Sequence, residues 1–230
     1  MNYIILNNKN SNRIKGLIIQ ELPPITKPMI RVNREEIDGR DGDITTKLGY
    51  SAYDKTIQIG LSYDYDVDEI IKYFDSEGIV IFSNEPTKYY KYQIEEQIDF
   101  EKLIRFKTAS VTMHVQPFKY STLEGVISSA SSPLTIFNGG NIYSKPILNI
   151  EGSGDISIYL DGIQLFQIAL GDEENITIDI DKMEAYKGAV LKNRLVQGDY
   201  DKFKLNVGRN VISFTGNVTN FSINNYSRWI

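Results

Sequence analysis

His114 is the only histidine in the 230-residue chain, so any serine–histidine–aspartate relay must pass through it. It stands out of phase with Val111, Met113 and Val115, which predicts a ring turned away from the core those residues form. No serine and acid are marked out to join it, and a surface histidine is the expectation. Asp64, Asp66 and Asp68 match the first three ligand positions of an EF-hand loop. Glu69 then stands where the sharp turn needs glycine, and Asp75 where a bidentate glutamate belongs, so helix capping accounts for these acids better. Asp179, Asp181, Asp199 and Asp201 form a second acidic group, with Glu173 and Glu174 near them in sequence. Asp179 and Asp181 alternate onto one face of a predicted strand and could hold a cation there. A solvated outer face is the preferred reading. The chain has no cysteine, which excludes disulfides, thiol nucleophiles and zinc–thiolate sites. Gly152-Ser153-Gly154 precedes a strand and not a helix, so it is no phosphate cradle. The expectation is a non-enzymatic protein with no catalytic residue, no metal and no cofactor.

Aromatic side chains offer binding chemistry instead. Tyr89, Tyr90 and Tyr92 cluster, and Trp229 lies near the end of the sequence. Such rings stack on sugars or anchor interfaces, and they are also ordinary strand residues. The net charge of −5 and the absence of a Lys/Arg run argue against a surface built to grip nucleic acid. No apolar run approaches the roughly 18 residues of a membrane helix, and no membrane partner is expected. The first residues lack a secretory signal pattern, so synthesis in the cytoplasm is expected.

The elements that must position these groups are mostly strands. Thr56–Tyr63 alternates apolar and polar residues. Leu103–Val115 reads as a longer strand whose buried phase changes, which predicts a β-bulge near Lys107-Thr108. One helix is marked. Asp66 caps it, Glu69 completes a capping box, Val67, Ile70, Ile71 and Phe74 form its apolar stripe, and Gly78 is the expected stop. Residues 121–133 are rich in small polar side chains and read as a linker or connecting strand. Beyond them come short strands: Asp155–Leu160, an Asp161-Gly162 hairpin turn, Ile163–Leu170, Asn175–Asp181, Phe203–Val207, Val211–Phe214 and Val218–Ile223. That pattern indicates a β-sandwich, and the fold class is mainly β.

Three stretches in the first half carry a resemblance. They are Ile37-Asp38-Gly39-Arg40-Asp41-Gly42-Asp43 preceded by Ile30-Arg31-Val32, Phe82-Ser83-Asn84-Glu85-Pro86-Thr87-Lys88-Tyr89-Tyr90, and Val115-Gln116-Pro117-Phe118-Lys119-Tyr120. In order and spacing they resemble the N-terminal domain of phage distal tail proteins. In the second half, Asn138-Gly139-Gly140, Lys145–Ile150, Ile176–Asp179 and Arg228-Trp229 resemble that family's C-terminal domain. The resemblance implies an N-terminal β-sandwich-like, tail-tube-like domain with one short helix at 1–120, a linker at 121–133, and a galectin-like β-sandwich at 134–230. It implies a homohexameric ring, closed through the N-terminal domains at the distal end of the tail tube in the virion. Its partners would be the tail tube protein, the tail-tip protein and, where the phage carries them, receptor-binding proteins. DNA would pass through the ring on ejection without specific binding.

The assembly interface is expected at Asp38, Gly39, Arg40, Asp41, Gly42, Tyr89 and Tyr90. Gly39 and Gly42 permit tight turns beside Arg40 and Asp41, and a loop with both charge signs suits a heterologous ring contact. A local salt bridge within the turn is the other reading. Two further functions compete: a cell-wall hydrolase or esterase, for which no carboxylate pair stands out, and a carbohydrate-binding or host-adhesion module resting on the C-terminal aromatics.

Overall fold

Side-chain alternation builds the first layer of this protein. In the computed structural model, which describes every residue except Glu173, the chain divides into two compact units, Met1–Thr122 with Ile230, and Leu123–Trp229. The first unit contains β1 (Ile4–Leu6), β2 (Lys9–Asn10), β3 (Leu17–Glu21), β4 (Ile30–Glu36), β5 (Asp43–Tyr50), β6 (Tyr53–Leu61), α1 (Val67–Phe74), β7 (Glu77–Phe82), β8 (Lys88–Gln93), α2 (Phe100–Phe106) and β9 (Thr108–Ser121). Antiparallel pairing sets the order β2-β1-β7-β8-β9-β6-β3. Strands β4 and β5 pair only with each other.

Ile57 and Ile59 of β6 pair with Val111 and Ala109 of β9, and these four are buried together with Leu61, Met113 and Val115 on the same face. Ile70, Tyr73 and Phe74 of α1 and Leu103 of α2 join the same cluster. Burial at roughly 25 cal/mol per Å2 of apolar surface is the main force holding a helix as short as α1 to its core. The opposite side of β6 and β9 carries hydrogen-bonded polar pairs: Gln58–Ser110 at 3.0 Å, Thr56–Thr112 at 3.2 Å and Asp54–His114 at 2.8 Å.

Asp66 caps α1 as its sequence predicts, accepting the Glu69 N–H at 3.1 Å. The capping box is only half built. The Glu69 carboxylate turns to Lys9 Nζ and the Lys15 N–H instead. Gly78 does not stop the helix, which ends at Phe74. It lies in β7 at φ +135, where Asn7 lies over its backbone, donating to the Glu77 carbonyl and accepting the Ile79 N–H. The predicted bulge at Lys107 is also corrected. Residues before it form α2, capped by Asp99 through the Lys102 N–H at 2.8 Å, and Lys107 turns the chain through a left-handed conformation at φ +58 into β9. A helix-to-strand joint reverses the buried phase as a bulge would. The unit thus has two helices where one was predicted.

The second unit contains β10 (Ile127–Ser129), β11 (Leu134–Asn138), β12 (Ile147–Leu160), β13 (Ile163–Gly171), β14 (Asn175–Asp179), β15 (Glu184–Lys187), β16 (Val190–Leu191), β17 (Val196–Gly198) and β18 (Gly208–Asn224). The segment 121–133 therefore carries a strand, β10, paired with β18. β12 and β18 are long and bent. β12 pairs with β14 through its first half and with β13 through its second, and β18 pairs with β11 and β10 in the same divided manner. Two strands that change partners at a bend turn one ladder into two layers, a sandwich-like arrangement around Ile150, Ile158, Phe166, Ile178 and Phe221. The two strands expected at Val211–Phe214 and Val218–Ile223 are one, bent at Gly216 with φ +101. Residues 203–207 form only an isolated bridge, Leu205 to Ser144. Asp161 and Gly162 both take positive φ, +50 and +82, as the two-residue hairpin requires.

Candidate assembly surface

The feature of the first unit that its own core leaves uncovered is the β4–β5 hairpin. Every residue from Arg31 to Leu48 is exposed. Ile30, Val32, Ile44, Thr45 and Thr46 give the strands their β preference. Gly39 and Gly42, at φ +84 and +79, turn the connection between them, and the Arg40 N–H donates to the Ile37 carbonyl at 3.1 Å. An ion pair across the hairpin joins Arg34 to Asp43 at 3.6 Å. Cross-strand pairing puts Val32 with Lys47, Arg34 with Thr45 and Glu36 with Asp43 on one face. An isolated two-stranded hairpin is marginal in water and presents unpaired edges to any neighbouring chain. The charge along it is graded: residues 35–43 hold five acids against Arg40 alone, whereas residues 44–50 with 29–34 hold Arg31, Arg34 and Lys47 and no acid.

The base of this arm is fastened from the sheet. The Tyr50 ring meets Phe118 edge-on at 5.5 Å, and the Ser51 N–H donates to the Met29 carbonyl. Ahead of β4, the sheet reaches out to backbone carbonyls. Asn84 Nδ2 donates to Pro23 O at 3.1 Å and Lys55 Nζ to Pro24 O at 2.8 Å. Pro23 and Pro24 lie outside any strand, so side chains of the sheet serve as donors to their carbonyls.

Lys55 is 3% exposed, with its ammonium 5.0 Å from the centre of the Tyr90 ring. Burial lowers its pKa from 10.5 to about 8, with Lys119 adding to that effect and Glu85 opposing it. Glu85 accepts from Lys119 at 2.6 Å and from the Tyr90 hydroxyl at 2.7 Å. Burial first, then the bond to Glu85, pushes the Tyr90 hydroxyl far above its ordinary value. Tyr89 stacks on Tyr120 at 5.3 Å. The Glu85–Tyr90 and Pro117–Tyr120 stretches thus interlock.

The seven residues expected at an interface are therefore split. Asp38, Gly39, Arg40, Asp41 and Gly42 sit together at the exposed tip. Tyr89 is half-buried and Tyr90 fully buried in β8. Tyr90 presents its ring to the core and Lys55, not to solvent. The other acidic groups stand elsewhere. Asp66 caps α1, and Asp64 pairs with Lys15 at 2.7 Å. Asp179 is buried, contrary to the solvated face expected, because its carboxylate accepts the Asp181 and Lys182 N–H groups and closes the turn after β14. Asp181 lies beyond that strand, 3.7 Å from Arg228 and 3.8 Å from Lys145. Asp199 pairs with Lys202 at 2.9 Å. Glu173 lies outside the described residues. His114 borders a surface groove of about 510 Å3 lined also by Glu77, Lys91, Gln93 and Gln116, with no serine, threonine or cysteine in its lining. Among the described residues, no group of three or more His, Cys, Asp or Glu side chains is arranged to hold a metal ion.

No family model and no curated protein matches the sequence. Solved structures do. The Dit protein of phage SPP1, described as a paradigm of the hub adsorption apparatus in phages infecting Gram-positive bacteria, superposes with a TM-score of 0.66 at 15% identity over 97% of both chains. The chain shares that protein's fold. Chains from the phage P2 baseplate in its activated conformation, with Ca and with Sr, each give a TM-score of 0.49 at 11% and 12% identity, over 97% and 96% of each chain.

Proposed function

We propose that this protein is a structural component of a phage tail tip, forming a homohexameric ring that joins the tail tube to the tail-tip protein and passes DNA on ejection. The observation that carries the proposal is the exposed β4–β5 arm, on a chain with the fold of the SPP1 Dit protein. An arm exposed at every residue from Arg31 to Leu48 is stabilised by a neighbour. Its turn, Asp38–Gly42, is the assembly segment. Tyr89 and Tyr90 support it from within, through the packing that fastens the arm's base. The two units serve as separately folding domains, the first closing the ring and the second, a galectin-like module, facing outward to receptor-binding proteins. The role is structural, its place is the virion, and no reaction is assigned to it.

Light scattering on the intact protein, alone and with the tail-tip partner, tests the ring. Replacing Arg40 and Asp41 with alanine is expected to weaken oligomers while leaving monomer folding nearly unchanged. A chain that stays monomeric with the partner present overturns the proposal. A second reading, a sugar-binding module, rests on Phe137, 67% exposed on β11 opposite Arg209 of β18. Glycan titration of wild type against Phe137→Ala separates the two.

A further inference from the structure

We propose that a groove between α1 and α2 receives the base of the β4–β5 arm of a second copy. The inference rests on the ring reading and adds the surface that the arm meets. The groove has a volume of about 400 Å3. Ile71 and Phe74 of α1, with Ile98 and Phe100 of the segment entering α2, give it apolar walls. Glu95 and Glu96 line it too, and residues 94–101 contain four acids and no base. The site is apolar inside and negative at the rim.

The arm's base has the complementary composition. It carries Arg34 and Lys47 on one face beside Val32, with Met29 and Leu48 also exposed. Apolar side chains flanked by cations fit an apolar groove flanked by carboxylates, and complementary charge fixes register and suppresses wrong contacts. The gradient along the arm also sets the direction of docking. Glu95 and Glu96 repel its acidic tip from the groove, so the base enters and the tip, with Arg40 and Asp41, makes its contact with the neighbouring copy beyond the groove. Donor and acceptor are different surfaces of one chain. The contact is therefore heterologous, the kind that closes a ring when its rotation allows. Docking also gives the two-stranded arm the packing that an isolated hairpin lacks.

The absence of cysteine makes the test clean. Leu48→Cys combined with Gln97→Cys places one thiol on the arm and one in the groove of each full-length copy. Mild oxidation is expected to give a ladder of disulfide-linked oligomers on denaturing gels. Each single variant gives dimers at most, and Leu48→Cys with Thr112→Cys on the outer face of β9 gives no ladder. Independently, Glu95→Lys with Glu96→Lys, or Arg34→Glu with Lys47→Glu, is expected to weaken wild-type oligomers by roughly a hundredfold, the scale of like charges brought face to face. Mixing the two reversed proteins restores assembly, because each arm again meets an oppositely charged groove. A wild-type oligomer with no ladder and no response to charge reversal overturns the groove and leaves the ring standing. No oligomer and no ladder, with the tail-tip partner present, overturns both.

Discussion

Glu85 holds Lys119 at 2.6 Å and the Tyr90 hydroxyl at 2.7 Å, in a site where both charged side chains are nearly buried. Removing one member of a buried ion pair strands the other. Glu85→Ala is therefore expected to destabilise the first unit by roughly 3–5 kcal/mol. Glu85→Gln keeps an acceptor for Tyr90 and a neutral partner for Lys119, and should cost clearly less. Denaturant unfolding of the two variants checks this. Equal losses would show that the charge of Glu85, and not its volume or its hydrogen bond from Tyr90, holds the site.

This cluster was partly legible in the sequence. Lys55 falls in the same phase as Ile57, Ile59 and Leu61, so strict alternation places a lysine among buried residues. A buried lysine needs partners, but neither Glu85 nor Pro24 is near it in sequence, and alternation carries no information about long-range pairing. The α1 cap and the Asp161-Gly162 turn were readable because their hydrogen bonds and φ values are local. The second helix was not, because its apolar residues Ile104 and Phe106 are 40% and 62% exposed and mimic strand alternation. Asp99 before Phe100, with Glu101 in the first turn, was the signal available. The arm's turn was readable from its glycines. Its exposure was not, since β-branched strand residues look the same with or without a core beneath them.

Lys55 predicts a particular pH dependence. Its folded pKa is about 8 against 10.5 for an ordinary lysine. Below pH 8 both states carry the charge, and the folded state bears the full burial penalty. Between pH 8 and 10.5 the unfolded state binds more protons, so this residue's contribution makes stability rise with pH. The raised hydroxyls of Tyr73, Tyr90 and Tyr92 act oppositely as unfolded tyrosines ionise near 10. The useful window is pH 7.5–9.5, chosen from these directions. On top of a constant loss of the Lys55–Pro24 hydrogen bond, the stability difference between Lys55→Met and wild type should shift toward wild type by a margin that grows from pH 7.5 to 9.5. A margin that does not change with pH would show that the Lys55 charge is not the cause.

Two glycines of β18 separate strain from collision. Gly208 and Gly216 both take positive φ, +92 and +101. A side chain at Gly208 meets open space, whereas one at Gly216 runs into the Asp155 carbonyl and the Ile156 Cα across the bend. Gly208→Ala should cost only the conformational term, about 1 kcal/mol. Gly216→Ala adds a backbone shift in both bent strands and should cost appreciably more. Thermal unfolding of the second unit in the full-length protein checks the ranking. Similar losses would mean that the bend, where the register between β12 and β18 is interrupted, yields freely.

The charge gradient of the arm leads to the final prediction. Affinity for DNA grows with each phosphate neutralised, so a conduit should carry few cations where DNA passes. In the proposed docking the base cations are spent on Glu95 and Glu96, and the tip that projects has five acids against Arg40. In the proposed conduit, a negative tip would repel phosphate instead of holding it. Wild-type protein, assembled or not, should show no measurable DNA affinity at about 0.15 M salt, and affinity should stay weak as salt is lowered. The variant Glu36→Lys, Asp38→Lys, Asp41→Lys should bind DNA, with an association constant that falls steeply as salt rises. Titration of labelled duplex at several salt concentrations reads both. Tight binding by the wild type, or a variant no stickier than the parent, would show that the tip does not meet DNA.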